Sequence, residues 1–221
     1  MVKDYCLTVY NLFMKSKILQ ILLVIVFALD LFFIFNNQTE MRFFTKPLLI
    51  PILILIYVST AKLEKLKLDQ PFVIGLVLSF FGDLFLLFEW GFLLGLGSFL
   101  MAHVFYIISF KKKVQHQIWK FWPIILSLYA LILLVFLYPY LNEMKIPVAI
   151  YAVVICTMMY GAIKTHHRNL IIGALLFVIS DTLLSVNLFV QPFLILNFLV
   201  MITYLLAQWF LVKGILSSKK N

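Results

Sequence analysis

Two aspartates fall inside long apolar runs of this 221-residue chain: Asp83 in GLVLSFFGDLFLL, counted from Gly75, and Asp181 in GALLFVISDTLLS, counted from Gly173. A charge placed within a membrane-spanning helix is costly, so each is read first as functional. Two carboxylates in a dry setting repel one another, and one can keep a proton while the other acts as a base. Groups able to bind or orient a polar substrate stand around them. Gly75, Ser79 and Asp83 are four apart and share a helix face. Ser180 adjoins Asp181; His103 and Tyr106 share one face, and Tyr204 and Gln208 another, with Asn197 a turn or two away. Asp83, Asp181 and His103 are therefore the candidate catalytic residues. Lys46, Ser79, Tyr106, Ser180, Asn197, Tyr204 and Gln208 are candidate substrate-binding residues. The spacing predicts that both aspartates face one polar cavity. The bland alternative is that each polar group only hydrogen-bonds a neighbouring helix.

The elements that position these groups follow from composition. Hydrophobic residues make up 64% of the chain and charged ones 12%, with a mean hydropathy of +1.08. A soluble domain could not hide that much apolar surface. The expected fold is all-α: one polytopic membrane domain over residues 1–221, with eight transmembrane helices near 18–35, 44–61, 71–88, 91–110, 121–138, 146–163, 170–190 and 192–212. The first run is read as a span and not as a cleaved signal, because no small-residue cleavage site follows it. The third and fourth runs, and the seventh and eighth, should form tight hairpins.

The net charge of +9 does not point to nucleic acid, since the basic residues sit in short loops. Of the 18 Lys and Arg, only Arg42, Lys46 and Lys145 fall on one side. The others, among them Lys3, Lys15, Lys17, Lys111 to Lys113, Lys120, Arg168 and Lys220, fall on the opposite side. That places the basic face and both termini in the cytoplasm, in the inner membrane if the source is bacterial. Cys6 and Cys156 lie too far apart to suggest a disulfide framework, and no metal site is expected. His166-His167 is read as a loop pair without ligands, and Asp30 and Glu89 as interfacial residues. Lys46, in Thr45-Lys46-Pro47, is placed in a first helical turn, free to snorkel, to pair with an Asp or to hold a phosphate.

One offset of 98 residues maps Gly75 on Gly173, Asp83 on Asp181 and Tyr106 on Tyr204. Four helices separate the copies, so both run in the same direction. Two parallel four-helix repeats with a site between them are expected.

The series Thr45-Lys46-Pro47, Ser79-x-x-Gly82-Asp83, His103-x-x-Tyr106, Ser180-Asp181 and Tyr204-x-x-Ala207-Gln208 resembles the YhhN family of integral membrane proteins, from about residue 42 to 212. The resemblance implies a lysoplasmalogenase, which hydrolyses the vinyl ether of a lysophospholipid to a fatty aldehyde and a glycerophospho-alcohol. It implies aspartate acid–base chemistry with no cofactor, and a lysophospholipid and membrane lipids as partners. Paired carboxylates perform related chemistry on glycosidic bonds. The competing readings are a small proton-coupled transporter and a lipid-binding membrane protein without chemistry.

Overall fold

A computed structural model describes residues 2–114 and 121–219, with side chains from Phe13 onward. Lys120, Lys220 and the side chains of Lys3 and Cys6 lie outside the described residues. The described chain is all-helical: α1 (Val2–Phe35), α2 (Thr39–Leu63), α3 (Gln70–Phe85), α4 (Phe92–Lys111), α5 (Trp122–Leu137), α6 (Lys145–Lys164), α7 (Arg168–Ser185) and α8 (Leu194–Ser217). Seven helical segments are long and apolar enough to cross a membrane, and α3 is a shorter apolar helix. The protein is an integral, multi-pass membrane protein. Its outer surface bears large apolar side chains, such as Ile124, Leu128, Leu131 and Val135 of α5, while Asp30, Lys46, Ser79, Asp83, His103 and Gln208 are buried. A water-soluble fold shows the reverse distribution.

Several boundaries differ from those read in the sequence. α1 begins at Val2, because neither Gly nor Pro occurs before Pro47 to stop it. α2 begins at Thr39, so Pro47 lies two turns inside the helix and not in its first turn. Pro47 and Pro51 leave the carbonyls of Phe43 and Pro47 without an i→i−4 donor, which loosens the backbone beside Lys46. α3 spans 16 residues, about 24 Å of rise. It ends at Phe85 and turns through Glu89–Gly91. A Cβ at Gly91 would lie 2.1 Å from the Phe85 carbonyl oxygen, so this sharp corner requires glycine. At its start, Asp69 Oδ1 accepts from the Phe72 N–H at 3.3 Å, an N-cap. α7 gives way to a π-turn at Val186–Val190, where Asn187 accepts the Phe193 N–H and donates to Asn197 Oδ1, both at 2.8 Å.

Helices α1 and α2, α3 and α4, and α7 and α8 form the most extensive pairings. α2 packs on α3 as α6 packs on α7, and α4 on α6 as α8 on α2. The remaining counterparts are uneven: α1 packs on α2 far more extensively than α5 on α6. Lipid is as apolar as these side chains, so association rests on close packing and buried hydrogen bonds. The glycines show it: a Cβ at Gly75 would lie 2.4 Å from the Tyr106 ring, and one at Gly173 would lie 2.9 Å from the Leu211 nitrogen.

Candidate functional site

The polar side chains buried in the bundle form two clusters. In the first, Asp83 of α3 accepts from the Tyr204 hydroxyl at 2.6 Å, and its other oxygen lies 3.7 Å from Lys46 Nζ. Tyr204 also accepts from Gln208 Nε2 at 3.5 Å, and Gln208 Oε1 accepts from Tyr106 at 3.0 Å. Tyr106 has one hydroxyl proton, so the 3.1 Å contact with Ser79 has Ser79 as donor. The Gly75–Ser79–Asp83 face read from the sequence thus meets Tyr106 and Tyr204. Lys46 is committed to the Asp83 carboxylate and does not snorkel.

The second cluster joins α4, α6 and α7. Asp181 Oδ2 accepts from the Tyr151 hydroxyl at 2.6 Å and lies 3.4 Å from His103 Nε2, which is itself 3.4 Å from the Tyr151 oxygen. His103 is fully buried, and its Nδ1 has no partner among the described residues. Placing the ring proton on Nε2 directs it at Asp181. The Asp181 side chain keeps 15% of its exposure because it lines two apolar cavities. One, of about 50 Å³, is walled by Leu86, Phe92, Phe99, Val148, Leu188 and Phe189. The other, of about 40 Å³, lies against Leu133, Leu137 and Ile155. Tyr151 lines both. Each is large enough for a water, whose share of liquid volume is about 30 Å³.

Among the described residues, the cavities at Asp181 are not the single polar cavity expected for both aspartates. The cavities at Asp181 have apolar walls and do not reach Asp83. The reason is aromatic packing. Phe177 stands edge-on to His103 at 4.6 Å and to Tyr204 at 5.5 Å between ring centres, and Phe99 closes on Tyr204 at 5.8 Å. The 98-residue offset maps Ser79 on Phe177, so the layer between the clusters is built at a position where the repeats differ in chemistry.

Two candidates lie outside both clusters. Ser180 donates to the Val200 carbonyl at 3.1 Å and ties α7 to α8. Asn197 accepts from Asn187 at the π-turn. Two participants escaped the sequence reading. Tyr151 had no marker, since its counterpart at the offset is Leu53. Asp30, read as interfacial, is fully buried within the bundle. It accepts from Thr45 at 2.8 Å and from Arg42 Nε at 3.3 Å.

At the basic end of the bundle, burial pushes the Asp69 carboxyl upward, but its contact with Lys113 outweighs this and holds it below the ordinary carboxylate value. Lys113 Nζ lies 2.6 Å from Asp69 Oδ2. Nearby, Ser217 Oγ at the end of α8 and His167 Nε2 at the start of α7 are 3.0 Å apart. Cys156 is buried and free.

Fold and site together define a small multi-pass membrane protein with two buried carboxylate clusters, one of them open to an apolar cavity. The chain belongs to the YhhN family, whose sequence profile matches residues 41–215. The chain matches no curated protein and no solved structure.

Proposed function

We propose that the protein is a lysoplasmalogenase-like hydrolase that cleaves the vinyl ether of a lysoplasmalogen, with Asp181 as the reacting carboxylate. Family membership supports the class of reaction. The observation that carries the assignment is that Asp181 meets apolar free space while holding two proton-bearing partners, Tyr151 and His103. Asp83 is sealed among Lys46 and Tyr204, which suits a positioning role.

In the reaction, the acid form of Asp181 protonates the β-carbon of the vinyl ether, and the electron pair of the double bond forms the new C–H bond. The resulting oxocarbenium ion is stabilised by the carboxylate just generated. Water attacks the α-carbon and gives its proton back to Asp181. The hemiacetal then collapses, with the proton of its hydroxyl passing to the leaving glycerol oxygen. Fatty aldehyde and glycerophospho-alcohol are the products. His103 and Tyr151 hold the carboxylate in place. The cavity is too small for an alkenyl chain, so the Phe92–Phe189 contact, 5.5 Å between ring centres, must part beside the π-turn. The basic face is assigned to the cytoplasm.

The test is aldehyde release from lysoplasmalogen by the purified protein in detergent. The proposal requires release without a gradient. A carrier would act only in sealed vesicles, and absence of aldehyde under both conditions would end the proposal.

A further inference from the structure

The face opposite the basic loops has three cations in the sequence: Arg42, Lys46 and Lys145. Two are neutralised inside the bundle. Arg42 lies 3.3 Å from Asp30 and Lys46 3.7 Å from Asp83. Lys145 has no carboxylate partner among the described residues; its ammonium lies over the Tyr138 ring, 4.2 Å from the centre.

Lys145 also opens the helix that walls the Asp181 site. It is the first residue of α6. Val148, Tyr151, Ala152 and Ile155 follow it at helical spacing, and all four line the second cavity at Asp181. From Lys145 to Tyr151, whose hydroxyl touches Asp181, α6 rises about 9 Å. In a lysophospholipid, six covalent bonds separate the vinyl ether α-carbon from phosphorus, about the length of two extended residues or roughly 7 Å. A substrate with its reacting carbon at Asp181 therefore brings its phosphate to the level of Lys145.

We infer that Lys145 binds the phosphate of the substrate headgroup and thereby selects phosphate-bearing lysolipids over neutral alkenylglycerols. This rests on the vinyl ether reading, which sets the reacting carbon at Asp181. The phosphate role open to Lys46 on sequence grounds passes to Lys145, because Lys46 is occupied by Asp83. Tyr138 stores the free ammonium at the rim by a cation–π contact. The incoming phosphate offers it a charge-assisted hydrogen bond in its place.

The experiment compares wild type, Lys145→Ala and Lys145→Arg on lysoplasmalogen and on the corresponding alkenylglycerol without phosphate. Lys145→Ala should raise KM for the phospholipid by about tenfold, with kcat little changed and the neutral lipid unaffected. Lys145→Arg should restore most of the difference. An equal loss on both substrates, or no loss on either, overturns the inference. The binding of a non-hydrolysable alkyl-ether lysophospholipid is measured beside it. If wild type releases no aldehyde, the proposed reaction fails. The phosphate site then still stands if Lys145→Ala weakens that binding, and falls if it does not.

Discussion

Replacing Asp181 by Asn keeps the shape of the side chain and removes its titratable proton. The structure allows the two consequences to be separated. The carboxylate accepts from Tyr151 at 2.6 Å and faces His103 Nε2 at 3.4 Å. Both partners meet the same carboxylate oxygen, so the amide oxygen placed there can still accept from Tyr151 and from the His103 Nε2–H. The change from a carboxyl to an amide acceptor costs on the order of 1 kcal/mol of stability. Loss of a general acid costs about 10²–10⁴ in rate, equivalent to roughly 3–5 kcal/mol in the barrier. Asp181→Asn should therefore remain inserted, with a thermal transition in detergent within a few degrees of wild type, while aldehyde release under saturating lysoplasmalogen falls at least a hundredfold. A wild-type rate would refute the acid role. So would a rate loss that only tracks the unfolded fraction.

The other expectations concern the sealed cluster, the basic end and the topology. Asp83→Asn leaves Lys46 as an uncompensated buried cation, and Lys46→Met leaves Asp83 without its counter-charge. Each should destabilise by roughly 3 kcal/mol, and the double variant should recover much of that loss in a denaturation cycle. Additive losses would remove the ion pair from the account. The Asp69 carboxyl is held low by Lys113. Its stabilisation is fully present above the ordinary carboxylate value of about 4 and is lost as pH falls through the lower folded value. Asp69→Asn should flatten that acid limb of the thermal stability, and an unchanged limb would contradict it. A reporter active only outside the cytoplasm, fused after Asn221, should be silent. Strong activity there would reverse the orientation.

Apolar runs made most of the helices legible, because lipid demands continuous stretches whose backbone bonds are satisfied internally. Where those runs end was less so. The stop of α3 at Phe85 depends on Gly91 lying against a carbonyl that only the folded turn brings near. The polar side chains followed the same division. Eight of the candidates, Lys46, Ser79, Asp83, His103, Tyr106, Ser180, Tyr204 and Gln208, are buried. A charge or amide inside an apolar run has nowhere else to find a partner. Which partner each finds depends on hairpin register. Asp30 had no visible partner in sequence until the α1–α2 turn brought Arg42 and Thr45 against it. Tyr151 is half apolar and sits in an apolar run, so nothing marked it as the donor to Asp181. The repeat put the two aspartates at matching positions and Phe177 opposite Ser79, but an offset in sequence does not report that the Phe177 ring packs between His103 and Tyr204.

The most direct test of the central claim is hydrolysis of lysoplasmalogen by the detergent-purified protein in deuterated water, with mass analysis of the aldehyde. Protonation at the β-carbon predicts an aldehyde carrying one deuterium at C2, formed in equal amount with the glycerophospho-alcohol. Absence of aldehyde, or aldehyde without deuterium at that carbon, would contradict the account.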